Sequence, residues 1–313
     1  MSALTKEIKD RALELGFSRV GIARAERLEA DSARLSDWLE NGYHGTMRWM
    51  AQNFEKRVDP GCVVPGARSV VAVAMNYHTP NPHSDDPETG KVSRYAWGDD
   101  YHGVLESRLK QLLAFVQGRD PHAAGKIYVD TGPVMEKLWA QRAGIGWEGK
   151  HTNVITEEYG SWVFLGEMIL DIELDYDEPA VDRCGTCTLC IEACPTQAIV
   201  EPYVLDSNRC ISYLTIEHRG PIAPELGEQF DRWVYGCDIC QDVCPWNTKF
   251  SKPTDLQEFA PRGQNIAPRL TDLASLSKEE FTARYRKSAM KRAKREGITR
   301  NATVAMTSKP AND

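Results

Sequence analysis

Cys184-x2-Cys187-x2-Cys190-x3-Cys194-Pro195 and its shorter echo, Cys237-x2-Cys240-x3-Cys244-Pro245, decide how this chain is read. In bacterial ferredoxins three thiolates at the first spacing hold one face of a [4Fe-4S] cube. The fourth cysteine, ahead of proline, serves the other cube. Applied here, that crossing rule gives Cys184, Cys187, Cys190 and Cys244 to one cluster. The second takes Cys194, Cys237, Cys240 and Cys210, the last lying well upstream of its partners. Eight of the nine cysteines are thereby used, and Cys62, between Gly61 and two valines, reads as a small core residue.

Structural zinc is the competing reading of paired C-x2-C motifs. Zinc sites present two such pairs rather than a triple run closed by x3-C-P. A disulfide framework requires a secreted chain. Met1-Ser2-Ala3-Leu4 instead leads straight into a charged amphipathic segment, with neither an apolar signal core nor twin arginines. With no apolar run long enough for a bilayer, the expectation is a soluble protein of a reducing compartment.

Working outward, 313 residues suggest about two domains. A hydrophobic fraction of 42% and a charged fraction of 27% suit an ordinary folded chain. The net charge of -7 excludes a uniformly basic nucleic-acid coat. Charge is uneven, however: Asp171 to Glu178 is acidic and Arg284 to Arg300 is basic, so a local face can still meet phosphates.

Helical spacing of Leu4, Ile8, Ala12 and Leu15 predicts a first helix, and Ser18 to Ala23 a strand. A helix over Asp31 to Glu40, a loop over Glu55 to Pro60 and a buried strand over Arg68 to Asn76 follow. Leu105, Leu109, Leu112, Leu113 and Val116 mark another helix, and Lys126 to Val129 a strand ending on Asp130. Val154 to Thr156 and Ser161 to Leu170 read as two more strands. The fold class expected is therefore α/β (α+β), with a helix-covered sheet in residues 1–170, the two-cluster domain in 171–252 and a helical segment in 253–313. In that last segment Lys278 to Glu296 reads as one helix, with Arg284, Lys287, Lys291 and Arg295 on one face and a frayed tail after Arg300.

Two cubes alone would make a carrier, yet about 170 residues precede them, which implies a reaction site fed by the clusters. Neither G-x-G-x-x-G after the first strand nor a Walker A loop is present. The distinctive stretches are Glu55-Lys56-Arg57-Val58, Arg94-Tyr95-Ala96-Trp97-Gly98-x2-Tyr101-His102, Val129-Asp130-Thr131-Gly132 and Arg142-Ala143-Gly144-Ile145-Gly146. Glu158-Tyr159-Gly160-Ser161-Trp162, Arg209-Cys210-Ile211-Ser212-Tyr213-Leu214-Thr215 and the segment Tyr235 to Pro245 complete them. In content and order these resemble the epoxyqueuosine reductases, from the N-terminus to about Ala305.

The resemblance implies a nitroreductase-like domain that binds base-off cobalamin, followed by a ferredoxin-like domain with two [4Fe-4S] clusters. It implies reduction of epoxyqueuosine to queuosine at the tRNA wobble position, with electrons passing from the clusters to cobalamin. An external low-potential electron donor, a cytoplasmic location and a monomeric state come with it. Asp130 is then the proton donor, a role its strand-end position suits, although Asp before Thr-Gly-Pro is also good helix-capping chemistry. Arg57, Ser93, Arg94, Tyr95, Lys150, Asn153 and Val154 are the implied cobalamin contacts, joined by Ser212 and Asp238 beside cluster ligands. Lys291, Arg292, Lys294 and Arg295 match the family's basic segment and are the implied tRNA contacts. His102 and His151 read as structural or solvent-facing. The alternatives are a corrinoid reductive dehalogenase, which usually carries a twin-arginine export signal, and a plain ferredoxin-type carrier.

Overall fold

A computed structural model describes residues 1–309. Its centre is an antiparallel sheet built from β1 (Arg19–Arg24), β2 (Ser69–Asn76), β3 (Gly125–Tyr128) and β4 (Val163–Leu170), in spatial order β1-β2-β4-β3. Every residue of β2 is buried, because the strand has layers on both faces. Its alternation sends Val71, Val73 and Met75 to one side and Val70, Ala72 and Ala74 to the other.

On the first side α1 (Ala3–Glu14) and α3 (Tyr101–Arg119) contribute Ile8, Ala12, Leu105, Leu109, Leu112 and Val116. On the second, α2 (Glu29–Glu40) and α4 (Glu136–Arg142) contribute Leu35, Trp139 and Ala140. Burying each such aliphatic or aromatic side chain is worth ~1.5–3 kcal/mol, so the sandwich is held by these two layers rather than by its surface ion pairs. The periodicity in the sequence placed these elements within a few residues. The Glu55–Pro60 stretch, expected as loop, contains a helical turn over Phe54–Val58.

The cluster segment follows, with a short α5 (Ile211–Ile216) directly after Cys210. Its strand Trp233–Tyr235 pairs in parallel with Lys91–Val92 from the first segment. Around that pairing Val92, Trp97, Val234, Tyr235, Leu273, Tyr285, Met290, Ile298 and Ala302 form a third core. The C-terminal segment is therefore clamped between the other two.

Three expectations are corrected here. Lys278 to Glu296 is not one helix. A capped helix Lys278–Arg284 gives way to a tight turn over Ala289–Ala293 and then to α6 (Lys294–Ala305), with left-handed backbone at Lys287 and Lys294. Burial of Tyr285, Ala289 and Met290 against the third core dictates the break. The basic residues consequently do not share one helical face. The tail is not frayed after Arg300 either, because Asn301 is fully buried and its amide donates to Thr215 O and Val234 O, both 2.8 Å. Cys62 is exposed on a turn after Pro60 and is not a core residue.

Candidate active site and cluster sites

The cysteines fall into two neighbourhoods. Cys190 is pushed up to about 11 by burial and then by Cys184, Cys244 and Cys187. Cys240 is raised by burial and then by Cys210, Cys194 and Cys190, and Cys237 by burial and then by Cys240 and, more weakly, Cys210. Most of these neighbours are those the crossing rule would pair, with Cys190 and Cys240 adjacent across the two groups. All nine cysteines are free thiols. Among the described residues no three His, Cys, Asp or Glu side chains converge as ligands of one metal ion. A zinc tetrahedron draws its sulfurs to within about 2.3 Å of one atom, whereas a cube holds each thiolate on a separate corner iron. Four thiolates in each group and the x3-C-P closing of both runs suit the cube.

Asp238, between Cys237 and Cys240, is fully buried and is satisfied from four directions. Ser93 Oγ donates to it at 2.5 Å, Arg94 N at 2.8 Å and Arg94 Nη1 at 3.2 Å, with His83 Nε2 at 3.3 Å. Arg94 Nη1 also reaches Asp242 at 2.7 Å. Gly236 makes this contact possible: its φ is +67°, and a Cβ there would lie 2.5 Å from Ser93 Cβ. Ser93, Arg94 and Asp238 thus bind one segment to the other.

Between the segments lies a cavity of about 380 Å³. Asp130, Tyr101, Asn153 and Val154 stand on one side, and Cys194, Cys210, Cys237 and Cys240 with Ser212 on the other. It adjoins a wider cleft of about 1970 Å³, in which Arg57, Tyr95, Asp130 and Ser212 meet Lys291, Arg292 and Lys294. Pockets for drug-sized ligands run to about 1,000 Å³, so this cleft accommodates something larger. Arg57 Nε and His151 Nε2 are buried on these walls without a protein partner, a pattern that suits a large ligand rich in amide groups. That lining fits a corrin.

Four expected contacts line neither space: Arg94 and Asp238 are engaged with each other, and Lys150 and Arg295 turn elsewhere. Lys150 Nζ donates to Gly185 O at 2.7 Å and Cys187 O at 2.9 Å, bracing the loop of the first cluster. Arg295 turns to Leu276 O at 3.3 Å and to Glu296, away from the cleft.

Asp130 is not a helix cap. It follows β3 with φ at +57°, and the N-cap of α4 is Met135. Its side chain is 61% exposed, opening on the cavity. Tyr101 Oη donates to Asp130 Oδ2 at 2.9 Å, and His102 Nε2 lies 3.2 Å from the same oxygen. His102 Nδ1 is 2.6 Å from Asp100 Oδ1, whose side chain caps α3. Burial opposes the charged form of Asp130, but the bonds from His102 and Tyr101 outweigh it and hold the carboxyl below its usual range. Burial likewise opposes charge on His102, yet bonds to Asp100 and Asp130 raise it to about 9. The resting proton therefore sits on His102, not on Asp130.

Behind this loop are two more carboxyls. Glu167 is fully buried in β4 with neither oxygen partnered, and Glu136 has one unpartnered oxygen. Burial and then the charge of Asp130 push Glu136 up to about 8; burial and then Glu136 raise Glu167 well above the usual range. Reading the sequence missed Tyr101, His102, Glu136 and Glu167. Asp100 ahead of a helical period was the available signal for the first two. A lone Glu in an apolar strand was the signal for the last.

Residues 57–131 match the family model described as epoxyqueuosine reductase QueG, DUF1730, and residues 183–247 match the 4Fe-4S double cluster binding domain. An epoxyqueuosine reductase from Synechocystis sp. is 49% identical, the match covering 90% of this chain and 98% of the relative. The chain belongs to the epoxyqueuosine reductase family. A solved epoxyqueuosine reductase with an epoxyqueuosine-modified tRNA-Tyr stem loop superposes with a TM-score of 0.90 at 35% identity, covering 96% of this chain and 80% of that one. The family member from Bacillus subtilis, solved with its catalytic aspartate loop swung out of the active site, superposes equally well. Its TM-score is 0.90 at 33% identity, with 96% and 80% of the two chains covered. The α+β fold, the family and the double-cluster domain read from the sequence are borne out.

Proposed function

We propose that this chain reduces the epoxide of epoxyqueuosine in tRNA to the cyclopentene of queuosine, using two [4Fe-4S] clusters and cobalamin. The observation carrying this reading is the shared cavity, with Asp130 on one wall and all four cysteines of the second cluster on the other. The net change consumes two electrons and two protons and releases the epoxide oxygen as water. Cobalamin, when bound, supplies the reducing power at carbon, recharged through the cubes by an external low-potential donor. Arg57, Ser93, Tyr95, Asn153, Val154 and Ser212 are the lining residues that would hold it.

The protein's own part is the proton. Opening the epoxide places negative charge on oxygen, and a positioned acid lowers that barrier by about 10²–10⁴-fold. Asp130 faces the cavity, while His102, charged up to about pH 9, holds the proton one hydrogen bond behind it. As charge develops on the departing oxygen, His102 passes its proton to Asp130 Oδ2 and Asp130 delivers one to the oxygen. Tyr101 keeps the carboxyl aimed, and Asp100 fixes the ring of His102. Lys291, Arg292 and Lys294 at the cleft supply cations for the RNA backbone.

Among the described residues no helix is long and apolar enough to cross a membrane. A cytoplasmic monomer completes the proposal. The test is an oxygen-free assay with epoxyqueuosine-containing tRNA, with and without cobalamin, read by nucleoside mass spectrometry. Corrin-dependent formation of queuosine is expected; conversion at the same rate without corrin would overturn the cofactor assignment.

A further inference from the structure

We infer that Trp49 is a stacking platform for an anticodon-loop base beside the modified nucleotide, an assignment that rests on the tRNA reading above. Two aromatic side chains among the large exposed apolar residues line the wide cleft, Trp49 (39% exposed) and Tyr203 (38%). Tyr203 is hydrogen-bonded to Asp182, an acidic neighbourhood unsuited to RNA. Trp49 stands on the basic side.

The indole is held as a platform from two directions. Arg57 Nη2 donates to Trp49 O at 2.9 Å, fixing the short turn Arg48–Met50 that carries it. The guanidinium carbon of Arg292 lies 5.2 Å from the ring centroid. Arg292 is itself locked by a two-pronged ion pair, its Nε at 2.7 Å and Nη2 at 2.8 Å from the carboxylate of Glu217. A cation fixed against an aromatic ring costs little further ordering when a base arrives, and it adds its own attraction. Lys291 and Lys294 line the same cleft.

Proteins read single-stranded loops by stacking splayed bases on aromatic and guanidinium planes while cations track the phosphates. Asp130 and the partly exposed Trp49 line the same cleft, so a nucleotide inserted to reach Asp130 brings its neighbours within that cleft. The contact is sequence-tolerant, since every base has a stacking face.

The test uses the holoprotein, the anticodon stem-loop RNA as probe, and the variants Trp49→Ala and Trp49→Phe. Stacking on one base predicts roughly tenfold weaker stem-loop binding for Trp49→Ala and most of the affinity kept in Trp49→Phe. The loss falls on KM, and the slope of log affinity against log salt stays unchanged because no phosphate contact is removed. Trp49→Ala binding the stem-loop like the wild type would overturn the stacking role alone. Loss of the bound-corrin spectrum in Trp49→Ala would instead assign the indole to the cofactor. A wild-type holoprotein with no affinity for any stem-loop would sink the tRNA reading itself.

Discussion

The two segments that meet at the inner cavity are built on opposite principles. On the cluster side, Asp238 is buried and fully partnered by Ser93, Arg94 and His83, and Asn301 and Lys150 tie off carbonyls that would otherwise be stranded. On the proton side, Asp130 sits at positive φ on an open loop held by two side-chain bonds, near Glu167, with neither oxygen partnered, and Glu136, with one unpartnered. Electron transfer slows steeply as centres separate, and a fully partnered wall guards against that. Proton delivery needs a group that advances and withdraws, and its wall is held lightly. The swung-out aspartate loop of the Bacillus subtilis relative fits that division.

Breaking the rigid wall is expected to have the largest effect on stability. Asp238→Ala leaves Ser93 Oγ and Arg94 N without their buried acceptor and Arg94 with Asp242 alone, and should cost about 3–5 kcal/mol. A lower melting temperature together with loss of iron from the second cluster would be seen in oxygen-free thermal denaturation. A variant as stable as the parent would show the network to be ornamental. On the lightly held wall, His102→Gln should lower turnover roughly tenfold and leave the fold intact, because Asp130 remains. The wild-type rate should fall as pH rises through about 9, where His102 loses its proton, and the variant should lack that limb. An unchanged pH profile would remove His102 from the relay.

The smallest effect concerns the carboxyls beneath the loop. Glu136 and Glu167 hold their protons in the folded state beyond the pH at which an unfolded chain releases them. The contribution of Glu136 is therefore complete below the ordinary glutamate range and is lost as pH rises to about 8, and that of Glu167 declines in the same direction. Glu136→Gln should flatten that decline in a pH series of denaturant titrations. A slope equal to the wild type's would place the titration elsewhere.

The sequence made the cluster wall legible because cysteine spacing is local and each ligand set is forced by the geometry of the cube. It was far less informative about the proton wall. Asp130, the Tyr101–His102 pair, Glu136 and Glu167 come from separate elements, and no period or spacing joins them. The basic C-terminal segment was misread for a related reason. Its charges repeat as in a helix, but Tyr285 and Met290 are drawn into a distant core and break the backbone between them.

The most direct test of the central claim is Asp130→Asn, compared with wild type in an oxygen-free reaction on epoxyqueuosine-containing tRNA. Turnover is predicted to fall by at least ~10²-fold, while the spectra of both clusters and of bound corrin stay unchanged. An Asp130→Asn variant that makes queuosine at the wild-type rate would contradict the account.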